Sequence, residues 1–316
     1  MNQSCSFLRN HLILPEFRAS LCTLYLITSL SAVSLNVLVL YTMWRTPSLH
    51  KPSYLLLANL ALSDFMYGAI GEPLIILTHF TYLKNLTAIY CSVSASAQVV
   101  GYWLGSSCLY TLTLISVDRL LAIRLKNRYR SFVTSRRIWM VTVPYWVGIL
   151  AFLLALFIAN VPFLVINIIS SLVLSVLLTT IIVCYSMAFY TLKKLTSSVS
   201  SSSQQPDEES TNFDVSKYRR SLNTMLLVLM TTLLMYFPYF ASAVTYSIKN
   251  GETVDQNSYS VISYEMLSTS ELIIAMNSTV NPLLYLWRMQ DIREAVKIMV
   301  KKILRRKNQS DEEEQT

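Results

Sequence analysis

Long stretches without charge alternate with short charged segments along this chain. Three of them contain no Asp, Glu, Lys or Arg: Ala19–Trp44, Asn85–Val117 and Ser221–Ile248. Two more contain only one or two acidic residues: Pro52–Leu83, with Asp64 and Glu72, and Met266–Trp287, with Glu271. An α-helix needs ~20 residues to cross the ~30 Å hydrocarbon core of a bilayer. The pattern therefore predicts a membrane-spanning helix in each stretch.

A sixth charge-free stretch is too long for one helix. Ile138–Leu192 contains 55 residues without a charge. Asn160, Pro162 and Asn167 interrupt it near the middle, and proline removes a backbone donor and ends helices. We therefore expect two spans joined by a short turn near residues 159–164. The chain is predicted to be an all-α membrane protein, a bundle of seven transmembrane helices.

Composition agrees with this prediction. Hydrophobic residues make up 53% of the chain and charged residues 14%, whereas about 25% of the residues in soluble domains are charged. A soluble protein of this length would need charges along every surface helix. The composition therefore excludes an ordinary soluble fold.

The basic residues predict the orientation. When connections are assigned to alternate sides, one side holds four of the 26 Lys and Arg residues: Arg9, Arg18, Lys84 and Lys249. The other side holds 22, and the positive-inside rule places it in the cytoplasm. The net charge of +8 then faces anionic lipid, and a nucleic-acid partner is not expected. We expect a multi-pass plasma-membrane protein with its N-terminus outside and its C-terminus in the cytoplasm.

The boundaries of the predicted regions follow from these stretches. Residues 1–18 form an outer tail, 19–288 the seven-helix domain, 289–307 an amphipathic helix and 308–316 an acidic disordered tail. The first span lacks a small-residue cleavage site and is expected to stay as an anchor. The serine-rich loop 196–217 is expected to be disordered, as a solvated linker or as phosphorylation sites.

The amphipathic helix carries its apolar residues on one face: Ile292, Ala295, Val296, Met299 and Ile303. Basic side chains cover its other faces. Such a helix is typical of the inner-leaflet interface, although it could also be an appendage without lipid contact. Two glycosylation sequons fall outside the cell, at Asn2 and Asn85.

Polar residues inside the spans are candidates for function because they are costly in a bilayer. Asp64 lies in the middle of the second span, and Asn277, Ser278 and Asn281 lie at a similar depth in the seventh. Together they could hold a small cation or share a proton. The alternative is a hydrogen-bond network that only joins the helices.

Glu72 and Glu271 lie nearer the outer ends of the same two spans. Two carboxylates facing one outer cavity would favour a cationic ligand, such as an amine or a basic peptide. The alternative is that water and hydroxyl groups solvate each of them at the level of the lipid headgroups. Pro238 and Pro282 lie inside spans six and seven, where a proline bends the helix and allows it to pivot.

Four motifs in order resemble the rhodopsin-like (class A) G-protein-coupled receptors. They are Asn36, the stretch from Leu57 to Asp64, Asp118-Arg119-Leu120, and Asn281-Pro282-Leu283-Leu284-Tyr285, with Trp146 in the fourth span. The resemblance covers residues 20 to about 305. Within the family, the short second outer loop and the stretch from Leu125 are similar to the melanocortin and adenosine receptors.

The resemblance implies a role for each motif. Asp118 would hold Arg119 at rest and release it on activation, and Asp64 with Asn281 would form a sodium site. The activation switch would comprise these residues: Asp118, Arg119, Tyr185, Pro238, Asn281, Pro282 and Tyr285. Its moving part would be the sixth helix, swinging outward at Pro238. The expected partners are an extracellular ligand, a heterotrimeric G protein, arrestin, a receptor kinase and membrane lipid.

The ligand is expected to lie among residues of the outer half: Glu72, Gln98, Tyr102, Tyr236, Tyr239, Phe240 and Glu271. No lysine occurs between Glu271 and Trp287, so retinal bound as a Schiff base is excluded and no cofactor other than sodium is expected. Gly101 stands where amine receptors carry an aspartate, which argues against a standard amine receptor.

The chain departs from the family pattern at several positions. They include Leu120 after the arginine, Thr232 and Tyr236 in the sixth span and Cys108 in the third. Ser94 stands where the family has a bridging cysteine, and Cys91 could instead pair with Cys5 or stay free.

Two other classes of function have less support in the sequence. A seven-helix transporter or ion-conducting protein would need a chain of ionisable groups or broken repeated helices. An intramembrane enzyme would need a set of metal ligands or a nucleophile with its base, and no HExxH or GxSxG motif occurs. A receptor that is not an enzyme is the prediction.

Overall fold

The computed structural model describes residues 15–201, 215–249 and 256–313, and within these ranges the regular secondary structure is helical. Eight long helices follow one another: α1 Pro15–Arg45, α2 Pro52–Leu83, α3 Thr87–Leu125, α4 Ser135–Ile158, α5 Phe163–Ser201, α6 Val215–Lys249, α7 Gln256–Arg288 and α8 Gln290–Glu313. Short turns join α1 to α4. The predicted all-α membrane bundle is confirmed.

Four of these helices are long and apolar enough to cross a membrane by composition alone: α1, α2, most of α5 and α4. The helices α3, α6 and α7 contain 39, 35 and 33 residues but are more polar. Their buried polar residues, such as Ser107, Thr232 and Asn277, lie inside the bundle. A helix that turns a polar stripe towards its neighbours needs only its outer face to be apolar.

The turn between α4 and α5 lies where asparagine and proline predict it. The helix α4 ends at Ile158 and α5 begins at Phe163. Asn160 takes a φ of 51°, a left-handed conformation that asparagine tolerates better than most residues. The turn between α4 and α5 therefore comprises only residues 159–162.

Helix α2 contains a π-helical turn at Tyr67–Gly71, which shifts the helix face that follows. Gly68 in this turn lies against α1: a Cβ there would be 2.9 Å from the Cβ of Ala32. The Ser29 hydroxyl donates a hydrogen bond of 2.8 Å to the carbonyl of Gly68. The absence of a side chain at Gly68 therefore lets α1 and α2 approach closely.

Helix α8 packs against the base of the bundle. Ile292, Ala295 and Val296 are buried there, whereas the sequence placed this face in the membrane interface. Ile298, which lies off the predicted apolar face, is 69% exposed. The helix also reaches Glu313, six residues beyond the end expected from its apolar pattern.

Candidate functional site

The cytoplasmic end of α3 carries a closed network around one carboxylate. Arg119 forms an ion pair with Oδ2 of Asp118. The hydroxyl of Tyr129 donates to Oδ1 of Asp118 at 2.6 Å, and Ser53 donates to Oδ2 at 3.2 Å. The Ser53 and Tyr129 hydroxyls are also 3.0 Å apart. Both carboxylate oxygens therefore have donors from outside α3.

Tyr129 lies in the loop between α3 and α4, in a single helical turn at Tyr129–Phe132. Burial, followed by the charge of Asp118, raises the pKa of Tyr129 to about 12. Its hydroxyl is therefore protonated at neutral pH and remains a donor. Neither Tyr129 nor Ser53 was predicted from the sequence as a site residue. The only signal for Tyr129 was an aromatic hydroxyl eleven residues after Asp118.

The residue after Ser53 makes a second cytoplasmic contact. The hydroxyl of Tyr54 donates to Oδ2 of Asp291 at 2.5 Å, and Asp291 lies in the first turn of α8. This bond joins the start of α2 to the start of α8. It was not predicted, because it depends on where α8 turns away from α7.

Asp64 is buried at mid-depth and accepts two hydrogen bonds from α7. Ser278 Oγ donates to Oδ1 at 3.1 Å, and Asn281 Nδ2 donates to Oδ2 at 2.9 Å. The sequence placed these residues at one depth, and the structure brings them into contact. Asn36 of α1 joins the same layer by donating to the carbonyl of Ser278 at 2.9 Å.

The donor set of this layer fits a small hard cation. The Oδ1 atom of Asn281 is buried and has no hydrogen-bond partner among the described residues. A carboxylate beside a free amide oxygen and a serine hydroxyl provides the oxygen ligands that Na⁺ or Ca²⁺ prefer. Among the described residues, no three His, Cys, Asp or Glu side chains are arranged so that they could hold a metal ion together.

Three residues that depart from the family pattern contact one another or the same neighbour. Thr232 Oγ1 donates to Oδ1 of Asn277 at 3.2 Å, and Tyr236 forms a hydrogen bond with Cys108. Asn277 Nδ2 lies 4.0 Å from Cys108 Sγ. These contacts join α6 to α3 and α7 beside the layer that contains Asp64. The departures at positions 108, 232 and 236 are therefore parts of one cluster.

Above this cluster, α3 leaves open space beside Gly101. A Cβ built at Gly101 meets nothing within 4 Å, and one built at Gly105 lies 3.8 Å from the Tyr236 hydroxyl. Because residues four apart share a helix face, Gly101 faces the same side as Gly105. The hydroxyls of Tyr102 and Tyr239 are hydrogen-bonded, and Glu271 lies near enough to both for electrostatic interaction.

The two outer glutamates differ in their surroundings. Glu271 is half-buried and close to Tyr67 as well as to the tyrosine pair. Glu72 has no exposed surface, and it accepts a hydrogen bond from Thr28 of α1. Its Oε1 atom has no partner among the described residues. Glu271 therefore lies near the tyrosine pair of α3 and α6, whereas Glu72 contacts α1. Gln98 and Phe240 are exposed.

The remaining predicted switch residues lie in the bundle core. Tyr285 is fully buried and Tyr185 is 5% exposed. Pro238 and Pro282 lie inside α6 and α7. The hydroxyl of Tyr285 has no hydrogen-bond partner among the described residues, so it can acquire one when neighbouring helices move.

At the outer surface, Cys91 forms a disulfide bond, whereas Cys22, Cys108 and Cys184 are free thiols. Cys5 and Asn2 lie outside the described residues, so the pairing of Cys5 with Cys91 stays a prediction. Asn85 is exposed in the three-residue connection between α2 and α3, with a φ of 56°. Its glycosylation also stays a prediction.

A family model described as "7 transmembrane receptor (rhodopsin family)" matches residues 35–285. The chain is 31% identical over 122 residues to a Gq-coupled rhodopsin of Mizuhopecten yessoensis, a match covering 38% of this chain and 24% of that one. It is 28% identical over 134 residues to the human olfactory receptor 4D1, covering 42% of each chain. It is 29% identical over 130 residues to the adenosine receptor A3 of Ovis aries, covering 39% and 38%.

The matched segments thus span less than half of these curated relatives. The family match, by contrast, covers most of the chain and includes the Asp64, Asp118–Arg119 and Asn281–Tyr285 motifs. The chain therefore belongs to the rhodopsin family of seven-transmembrane receptors.

Proposed function

We propose that this protein is a plasma-membrane receptor that binds a cationic extracellular ligand beside Glu271 and activates heterotrimeric G proteins through outward movement of α6. Membership of the family implies signalling through G proteins. The observation that carries the ligand chemistry is the half-buried Glu271 next to the Tyr102–Tyr239 pair and the open space at Gly101.

The carboxylate of Glu271 has no cationic partner among the described residues, and the ligand would supply one. Between two side chains that the structure describes, the ion pair of Arg119 with Asp118 is the only one, and it lies at the opposite end of the bundle. A partly buried carboxylate without a countercharge is unfavourable. Tyrosine rings around it attract a cation through their faces as well. An amine or a guanidinium group therefore fits this space better than a neutral or anionic group does.

Binding would be transmitted through the cluster between α3, α6 and α7. Tyr236, next to Tyr239 on the ligand side, contacts Cys108, and Thr232, one turn lower, contacts Asn277. Movement of α6 at Pro238 breaks these bonds and opens the cytoplasmic end. Arg119 then leaves Asp118 to meet the G protein. The ligand can shift the equilibrium between the resting and the active arrangement only as far as its affinities for the two differ.

A reporter assay with promiscuous G proteins tests the coupling. The wild type and Arg119→Ala are expressed at matched surface levels, and second-messenger output is measured without ligand and during a screen of amines and basic peptides. We expect a signal that Arg119→Ala abolishes. A wild-type receptor without basal or evoked output distinguishable from Arg119→Ala would rule out the coupling.

The ligand site is tested separately. Glu271→Gln should weaken a cationic agonist roughly 10- to 100-fold, which corresponds to ~1.4–2.8 kcal/mol. Glu265→Gln is the matched control, because it removes a carboxylate of the same helix one and a half turns nearer the outer end. Equal potency of the agonist on wild type and Glu271→Gln would remove the acidic ligand site and leave the coupling intact.

The orientation and the further partners are part of the same proposal. The basic residues favour a cytoplasmic C-terminus and an extracellular N-terminus. Arrestin and a receptor kinase would use the cytoplasmic face once α6 has moved, and sodium would bind at Asp64 in the resting state.

A further inference from the structure

The backbone of Lys126 adopts a conformation that L-residues rarely take, at the point where α3 ends. Its φ is 42° and its ψ is −109°, close to the values of about +60° and −120° at position i+1 of a type II′ turn, where glycine is usual. In the described ranges, the other non-glycine residues with a positive φ are Asn85 and Asn160, and asparagine is found at positive φ far more often than lysine. A strained conformation of this kind persists only where surrounding contacts hold it.

The contacts that hold Lys126 come from Tyr129. The side chain of Lys126 is itself exposed, so its packing does not fix the backbone. The Tyr129 hydroxyl donates to Asp118 and lies 3.0 Å from the hydroxyl of Ser53. Asp118 stands about two helical turns before the end of α3 at Leu125, or about 10 Å along the helix axis. The chain must therefore reverse its direction sharply at Lys126 for Tyr129 to reach the carboxylate.

The other end of the α3–α4 loop, residues 126–134, is also fixed. The amide of Val133 donates to the carbonyl of Tyr129 at 2.8 Å. The guanidinium of Arg137, in the first turn of α4, donates to the carbonyl of Phe132 at 2.6 Å. The loop is therefore held at both ends, and the backbone strain at its start is relieved when the tyrosine hydroxyl leaves its carboxylate.

We propose that Lys126 is a strained hinge that opposes the bond between Tyr129 and Asp118, so that the α3–α4 loop opens and closes while the bundle stays folded. The stabilisation by a hydrogen bond to a charged group and the cost of a backbone conformation of this kind are similar in size. The open and the closed loop are therefore close in free energy. Glycine in place of Lys126 removes the strain and shifts this balance towards the closed loop.

The consequence of the hinge for signalling rests on the proposed function. Tyr129 is one of the donors that hold the carboxylate of Asp118, and this carboxylate pairs with Arg119. Each opening of the loop removes a donor that comes from outside α3. The carboxylate is then less firmly placed to restrain Arg119, so the hinge raises the output of the receptor without ligand.

Hydrogen–deuterium exchange of the purified full-length receptor tests the hinge without any signalling step. Lys126→Gly and Lys126→Ala both remove the lysine side chain, and they differ only in the Cβ atom that makes the conformation costly. We expect the loop amides 127–133 to exchange about fivefold more slowly in Lys126→Gly than in Lys126→Ala. The amides of α4 should exchange equally in both. At an unstrained loop position the sign is opposite, because glycine adds flexibility.

Tyr129→Phe shows whether the strain acts on this particular bond. Without the hydroxyl, the loop has no closed arrangement for glycine to favour, so the difference between Lys126→Gly and Lys126→Ala should disappear in the Tyr129→Phe background. Two results would each overturn the hinge: exchange in Lys126→Gly that equals or exceeds exchange in Lys126→Ala, and a difference that persists in Tyr129→Phe.

The consequence for signalling is measured separately, as G-protein reporter output per receptor at the cell surface. Lys126→Gly should give a lower ligand-free output than Lys126→Ala. If the wild type and both variants give no more output than Arg119→Ala, the proposed coupling fails, and the exchange measurement still decides on the hinge. If the wild type signals and the two variants signal equally, the hinge does not act on Arg119 and that part of the inference is wrong.

Discussion

The hydroxyl of Tyr129 donates a 2.6 Å hydrogen bond to Oδ1 of Asp118, while Oδ2 of the same carboxylate pairs with Arg119. A loop residue thus fixes the carboxylate that restrains Arg119. If the ion pair defines the resting state, the loop contributes to that state through this bond.

Tyr129→Phe is therefore expected to raise ligand-free signalling. A hydrogen bond to a charged group contributes about 1.5–3 kcal/mol, and loss of part of this shifts the resting equilibrium several-fold towards the active arrangement. The measurement is G-protein reporter output per receptor at the cell surface. Tyr190→Phe is the control, because Tyr190 is 73% exposed. Basal output equal to the wild type would show that the loop does not restrain Arg119.

The pH dependence of this contact follows from the raised pKa. Folding raises the pKa of Tyr129 from about 10 to about 12, so its contribution is complete below about pH 10 and is lost as the pH rises through 12. Basal output of the wild type and of Tyr129→Phe should therefore keep a constant ratio between roughly pH 6 and 8. A ratio that changes across this range would place another titrating group in the network.

Gly68→Ala should destabilise the bundle. The new Cβ would lie 2.9 Å from the Cβ of Ala32, which is a fixed atom, so α1 and α2 must separate. Overpacking of this kind costs about 1–3 kcal/mol, which exceeds the 0.5–1 kcal/mol that alanine contributes in a helix. The thermal midpoint of purified receptor is the measurement.

Gly148→Ala is the matched control, because a Cβ at Gly148 meets nothing within 4 Å. It should leave the midpoint unchanged or raise it. If both alanine variants behave alike, the close approach at Gly68 is not a determinant of stability.

Sodium should stabilise the receptor through Asp64. An ion that binds only the folded resting state stabilises it by RT ln(1 + [Na⁺]/Kd), so the unfolding midpoint rises with sodium concentration. We expect a higher midpoint in sodium chloride than in choline chloride for the wild type and no difference for Asp64→Asn. Asn281→Ala should reduce the sodium effect, because it removes the free Oδ1 oxygen. A sodium effect that survives in Asp64→Asn would place the ion elsewhere.

The disulfide of Cys91 is expected to join Cys5. Digestion without reducing agent should release one linked pair of peptides that separates on reduction. Cys5→Ser should expose a reactive thiol at Cys91 and lower the stability by about 2–5 kcal/mol. Cys22→Ser is the control, since Cys22 is a free thiol. An unlinked Cys5 peptide in the non-reduced digest would exclude this pairing.

The helices could be predicted from the sequence because a bilayer imposes a simple rule on charge. The stretches with little or no charge located α1 to α7, and Asn160 and Pro162 located the turn between α4 and α5. The contact of Asp64 with Ser278 and Asn281 followed from their common depth. In these cases, the place of a residue along its span is enough to predict its depth in the bundle.

Contacts that depend on rotation about a helix axis could not be predicted in this way. Glu72 and Glu271 both lie in outer halves of spans, yet the π-helical turn at Tyr67–Gly71 precedes Glu72, which contacts Thr28 of α1. The sequence left open whether the two carboxylates face one cavity or are solvated separately, because depth along a span does not give the direction in which a side chain points. Tyr54 and Asp291 were missed for a similar reason, since their bond depends on the bend between α7 and α8.

Ser53 and Tyr54 are consecutive residues on α2, about 100° apart around its axis. One reaches Asp118 and the loop that follows α3, and the other reaches α8. The distance between these two cytoplasmic surfaces is therefore set by the diameter of α2. A protein that docks on both surfaces at once meets them at this fixed separation, independently of the position of α6.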